Sequence, residues 1–191
     1  MEYIDHKNEK YTVRPPKPED FPRVREICDG RFGDGYISEE EFASWVQNPD
    51  FCKVADYNGT VVGIAYLMPE SAEALAKAMK LDVDYVNTVA RGKPVIHSRC
   101  AALDEAYENR GIMLIMHREI YDNIAAQGFG AVFAPAWTYN GYTPMAKMLE
   151  KYEFEFVGVR ENLWYDMDGY KCIICNGRCR CNAAIYQKKF N

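Results

Sequence analysis

The longest continuous pattern of apolar and polar positions runs through residues 95–127. An apolar segment, VIHSRCAAL, is followed by a polar turn, DEAYENRG, after which apolar residues recur at Ile112, Met116, Ile120 and Ile124. That period places one apolar stripe along a helix, and Gly128 stands just past its end, where a C-cap glycine belongs. Upstream, YTVR, FCKVADY and TVVGIAYLM are rich in β-branched and aromatic residues and read as strands. Asn58-Gly59 between the last two is a hairpin signal. Downstream, GAVFAPAW reads as a buried strand, PMAKMLEKY as a helix, FEFVGVRENLWY as a strand and NAAIYQKKF as the last strand.

The remaining segments are less regular. Residues 1–10 read as a polar lead-in, and a first helix is expected over residues 19–28, after Pro16 and Pro18. GRFGDGYISEEEF reads as a glycine-rich loop leading into a helix, either a solvated loop and helix cap or a mobile, acidic lip, with Ser38 and Glu41 forming a capping-box pattern. Residues 68–94 hold two helical stretches, ESAEALAKAMKL by its alanine content and DVDYVNTVAR.

A strand that ends in a turn and then opens a helix leaves backbone N–H groups pointing out of the helix start, a site for phosphate or carboxylate. The order of elements, with TVRPPKPEDFPRVREI at the start, ALDEAYENRGIM in the middle and EKYEFEFVGV near the end, resembles the GNAT superfamily of acetyl-CoA-dependent N-acetyltransferases. The resemblance covers nearly the whole chain. It implies one domain over residues 1–191 with an α/β (α+β) fold. That fold has a mixed, mostly antiparallel central sheet of about seven strands with flanking helices. A helical insertion would lie between strands 3 and 4, and a Cys-rich loop between strands 6 and 7. It also implies that backbone N–H groups of Asn109, Arg110, Gly111, Ile112 and Met113 hold the pyrophosphate of coenzyme A. The backbone at Ala102 and Leu103 would take the pantetheine arm and acetyl carbonyl, and Asn140 would be a further coenzyme contact. The family's loop motif, [QR]-x-x-G-x-[GA], is altered: Glu108 fills the first position and Met113 the last, and Gly111 is retained.

The chemistry implied is acetyl transfer from acetyl-CoA to a primary amine of a small molecule or a protein. His97, six residues before Leu103 on the family's fourth strand, matches the histidine base of arylalkylamine-type members, and Glu105 at the turn is a second candidate. The tyrosine that the family often uses as acid is replaced by Leu149, leaving Tyr142 or Tyr139 in WTYNGYTP as substitutes. His117 is expected on the helix surface.

Composition sets bounds. The 191 residues include 14 Tyr, 9 Phe and 3 Trp, enough for a substantial core, and carry a formal charge of −5. A basic nucleic-acid footprint is missing. No apolar run approaches the ~20 residues of a membrane span, and the polar start lacks the apolar core of a secretory signal. These features argue for a cytoplasmic protein without nucleic-acid or membrane partners, as a monomer or homodimer.

Seven cysteines complete the picture. Cys28, Cys52 and Cys100 sit on apolar segments and read as core residues. Cys172, Cys175, Cys179 and Cys181 crowd into CIICNGRCRC, whose Cys-x-x-Cys-Asn-Gly half resembles a zinc knuckle. A structural zinc site, an iron–sulfur site, and thiols or a disulfide all fit this spacing. Two other functions fit the chain: a catalytically inactive acyl-CoA-binding regulatory module, or a metal- or redox-responsive protein that senses through these cysteines.

Overall fold

The computed structural model describes residues 1–124 and 126–190. Eight strands form one sheet in the order β1-β2-β3-β4-β5-β6-β8-β7, with helices between them. The strands are β1 (Glu2–Ile4), β2 (Lys10–Arg14), β3 (Cys52–Tyr57), β4 (Thr60–Glu70), β5 (Val95–Leu103), β6 (Ala131–Thr138), β7 (Glu155–Arg160) and β8 (Asn182–Lys189). The helices are α1 (Phe21–Arg31), α2 (Glu39–Val46), α3 (Ala72–Met79), α4 (Val83–Ala90), α5 (Ile112–Ile124) and α6 (Ala146–Lys151). β1 with β2, β2 with β3, β3 with β4, β6 with β8 and β7 with β8 pair antiparallel, and β5 pairs parallel with β6. The eighth strand is β1: the first residues are not a lead-in but pair Glu2, Tyr3 and Ile4 with Thr12, Tyr11 and Lys10. The chain divides into two compact units.

The first unit comprises Met1–Leu67, Cys100–Ile124 and Gly169–Gly177. Asn58 and Gly59 join β3 to β4 with φ of 52° and 88°, the left-handed pair that a two-residue hairpin turn requires. Ser38 caps α2 by accepting from the Glu41 N–H at 3.1 Å. The stripe Ile112, Met116, Ile120 and Ile124 is fully buried, and α5 packs on β2 and β3. Cys28, Cys52 and Cys100 are core residues, as their apolar flanks suggest.

His117 is buried beside that stripe rather than exposed, with Nδ1 donating to the Met113 carbonyl at 3.0 Å. Burial pushes its pKa below the ordinary 6.5. The unfolded chain then takes up a proton near pH 6.5 that the folded chain refuses, so stability is intact above that pH and declines as pH falls below it. Urea unfolding is expected to lose up to about 1.4 kcal/mol per pH unit in this window, and His117→Gln to flatten the slope.

The glycine-rich segment after α1 is fastened, not a mobile lip. Lys171 N–H donates to Asp34 O at 2.8 Å, Ile173 N–H to Phe32 O at 2.9 Å, and the Tyr170 hydroxyl to Phe32 O at 2.9 Å. Gly33 makes the approach possible. Its φ is +118°, and a Cβ there would lie 2.0 Å from the Lys171 carbonyl oxygen.

The second unit comprises Met68–Arg99, Ala125–Asp168 and Arg178–Asn191. Here the expected helical insertion forms α3 and α4. Ser71 and Asp82 are N-caps, accepting from the N–H groups of Ala74 and Tyr85, and Lys80 and Arg91 end the helices in left-handed conformations. Leu75, Met79, Val86, Val95, Phe133 and Ile185 belong to one core cluster. Strand β7 stops at Arg160, and ENLWY beyond it is turn rather than strand. β6 pairs with β8 over eight residues, from Ala131↔Lys189 to Thr138↔Asn182. With β5, however, it pairs only at Val95↔Ala131, Ile96↔Val132 and His97↔Phe133, although both strands run on.

Candidate active site

The turn between β5 and α5 is built by its own side chains and by α1. Asp104 caps a 3-10 turn (Glu105–Tyr107) by accepting from the Ala106 N–H at 2.9 Å, and its own N–H donates to the Val62 carbonyl at 2.8 Å. Arg23 and Arg31, two turns apart on α1, ion-pair with Asp104 and Glu108. Asp104's pKa is lowered: burial raises it, but the Ala106 N–H and the Arg23 guanidinium outweigh that. Glu108, the acid that departs from the family's motif, therefore has its charge met by Arg31. No spacing in the sequence flagged that arginine.

Asn109 and Gly111 follow with φ of 59° and 83°. None of the backbone N–H groups of Asn109, Arg110, Gly111, Ile112 and Met113 has an acceptor among the described residues. Five consecutive donors at the start of a thirteen-residue helix, in its positive dipole end, form a cradle that an anion such as a diphosphate would fit. The residues present thus fit coenzyme A.

The N-terminal turn holds this loop from outside. The His6 N–H donates to the Arg110 carbonyl at 3.2 Å, and its ring lies over Gly111, where a Cβ would meet Nε2 at 2.8 Å. The Arg110 side chain is buried. It pairs with Asp5 at 3.2 Å and with Glu9, donates to the Ala106 carbonyl at 2.7 Å, and lies over the Tyr107 ring. Burial pushes the Asp5 carboxyl up, but donors from Glu9, Tyr57, Lys7 and Arg110 hold it at about 2. The fifth cradle residue, Met113, is half-buried. Ala102 is buried and Leu103 half-buried at the end of β5, with the Leu103 side chain against Gly63. Glu105 is exposed on the 3-10 turn.

In the second unit His97 is the last β5 residue in register with β6. It is buried, and its Nδ1 lies 3.5 Å from Oε2 of Glu70, the last residue of β4. Neither atom has a hydrogen-bond partner among the described residues. Glu70 had no motif to announce it, because it opens the alanine-rich stretch read as insertion. Glu70 also borders a cavity of about 540 Å³ lined by Glu73, Asn87, Lys93 and Pro94, among others.

Tyr142 and Asn140 lie on a tight turn after β6. Tyr139 and Tyr142 exchange backbone hydrogen bonds of 3.0 and 2.9 Å, with Asn140 and Gly141 at φ of 50° and 76°. Asn140 is exposed, and Tyr142 is 68% exposed. Leu149, where the sequence resemblance puts the family's tyrosine, is buried. In the loop of residues 172–181, Cys172 and Cys175 fall in the first unit and Cys179 and Cys181 in the second; Cys172, Cys179 and Cys181 are buried and Cys175 is half-buried. The Cys172 N–H donates to the Gly177 carbonyl at 2.9 Å, closing the knuckle turn. No helix among the described residues is long and apolar enough to cross a membrane.

No protein-family model and no curated protein matches this sequence. Solved structures do match. Arabidopsis thaliana NAA60 in complex with a bisubstrate analogue is 16% identical with a TM-score of 0.67, over 95% of this chain and 98% of that one. Arabidopsis thaliana Naa50 in complex with the bisubstrate analogue CoA-Ac-MVNAL is 14% identical with a TM-score of 0.66, over 94% and 99%. The ribosomal-protein-S18-alanine N-acetyltransferase from Escherichia coli is 17% identical with a TM-score of 0.57, over 95% and 94%. The chain therefore has the fold of the GNAT N-acetyltransferases.

Proposed function

We propose that this protein transfers the acetyl group of acetyl-CoA to a primary amine of a small molecule or a protein. The observation that carries this reading is the run of five unpaired N–H donors at residues 109–113, in the fold of enzymes that include complexes with coenzyme A-based analogues. Asn109, Arg110, Gly111, Ile112 and Met113 would hold the diphosphate through backbone alone. The β5 backbone at Ala102 and Leu103 would carry the pantetheine arm.

Acetyl-CoA supplies an activated acyl carbon, so the chain's own work is to hold the amine beside it and to take a proton from it. His97 is the base in this reading. It is buried at the last β5–β6 pair, and its Nδ1 faces a carboxylate, which leaves Nε2 for the amine. The cavity that Glu70 borders also carries Glu73 and Lys93, so its lining holds one more acidic than basic side chain, which suits a cationic acceptor. The test is an amine panel that includes peptide N-termini, assayed for release of coenzyme A. Coenzyme A binding together with turnover on one amine class supports the proposal. Binding without turnover on any member would favour an acyl-CoA-binding regulator instead.

We also propose that Cys172, Cys175, Cys179 and Cys181 hold a structural zinc ion. A structural zinc ion takes four thiolates at about 2.3 Å, and the C-x2-C-x3-C-x-C spacing supplies four within one short loop. Protein purified without chelator is expected to carry one zinc per chain by elemental analysis, and stripping it to lower the melting temperature. Absence of zinc and iron, or an unchanged melting temperature after chelation, would count against this site.

A further inference from the structure

The pair formed by Glu70 and His97 has no counterpart in the motifs read from the sequence, and it deepens the reading of His97 as base, on which it rests. The two side chains are 13% and 11% exposed. Each presents a polar atom with no hydrogen-bond partner among the described residues, and the two atoms lie 3.5 Å apart. An orphaned buried carboxylate oxygen is costly, as is an orphaned ring nitrogen. One proton between them removes both costs, and it belongs on Nδ1, because a carboxylate only accepts.

From this geometry we infer that Glu70 is a positioning residue that keeps the neutral His97 ring protonated on Nδ1, so that Nε2 is the basic nitrogen presented to the acceptor amine. The step then balances without a further reactant. As the amine nitrogen bonds to the acetyl carbon and the C–S bond breaks, the amine proton passes to Nε2, and coenzyme A leaves with the sulfur electron pair. The imidazolium that results is neutralised by Glu70 across the same contact. Without Glu70 the ring would distribute its proton between both nitrogens and charge without a counterion.

The test is direct observation of the ring nitrogens of the full chain by two-bond ¹H–¹⁵N correlation, at a pH where the ring is neutral. The His97 signals are identified by their loss in His97→Gln. In the wild type the proton is expected on Nδ1. In Glu70→Leu it should move in part or wholly to Nε2, and in Glu70→Asp it should stay mainly on Nδ1. Should Glu70→Leu not fold, Glu70→Met serves, since it removes the carboxylate and its thioether is only a weak acceptor for the Nδ1 proton. In the folded variant kcat is expected to fall by about tenfold or more, with partial rescue in Glu70→Asp and an unchanged KM for acetyl-CoA.

A wild-type proton on Nε2, or a tautomer unmoved by loss of the carboxylate, overturns the inference. A tautomer that moves as expected while His97→Gln retains full turnover leaves the pairing intact and removes His97 as base.

Discussion

Replacing His97 with glutamine is expected to lower turnover by about 10²- to 10⁴-fold, the usual contribution of a positioned general base, and to leave coenzyme A affinity unchanged. Glutamine keeps most of the volume and can still hydrogen-bond Glu70, so the buried corner at the last β5–β6 pair stays filled. The proposed diphosphate cradle lies on backbone groups at residues 109–113, and His97 is not one of them. Turnover and affinity should therefore separate. Steady-state kinetics beside calorimetric titration with coenzyme A checks both. Turnover equal to wild type would remove His97 from the reaction, and a parallel loss of affinity would make its role structural.

The second large effect is on folding. Gly33→Ala is expected to destabilise the protein by about 3–5 kcal/mol, from a strained backbone and an overpacked contact together. At φ +118° an alanine is strained, and its Cβ would stand 2.0 Å from the backbone oxygen of Lys171 and 2.6 Å from the Ile173 nitrogen. Those are main-chain atoms and cannot swing aside. Relief requires breaking the contacts of Tyr170, Lys171 and Ile173 with residues 32–34, which anchor the segment carrying Cys172. Chemical denaturation measures the loss. Gly30→Ala is the control, since a Cβ there meets nothing within 4 Å. Equal stability of the two variants would contradict the packing described here.

How far these features were legible in the sequence depends on whether their cause is local. The stripe on α5, the Asn58-Gly59 turn and the Ser38 cap are set by neighbours within a few residues, and each formed as its pattern indicates. Strand β1 was missed because three residues, EYI, carry too little alternation to be read, and their order comes from pairing with β2. His117 was misplaced because it sits beside the apolar stripe, not on it, and the Met113 carbonyl that satisfies it is invisible to a count of apolar positions. The glycines after α1 suggested mobility, but what they permit is close approach by Lys171 and Gly169, far along the chain. In the candidate site, Gly111 and the residues around it could be read because backbone chemistry follows from a turn and a helix start. The partners could not. Arg31 meets Glu108, and Glu70 faces His97, across distances in sequence that no motif spans.

The most direct test of the central claim follows the amide signals of Asn109, Arg110, Gly111, Ile112 and Met113 in ¹H–¹⁵N spectra while coenzyme A is added. Binding through the backbone cradle should move these five amides together and saturably, with desulfo-coenzyme A, which keeps the diphosphate, doing the same. Saturable binding that leaves them in place, or no binding at millimolar coenzyme A, would contradict it.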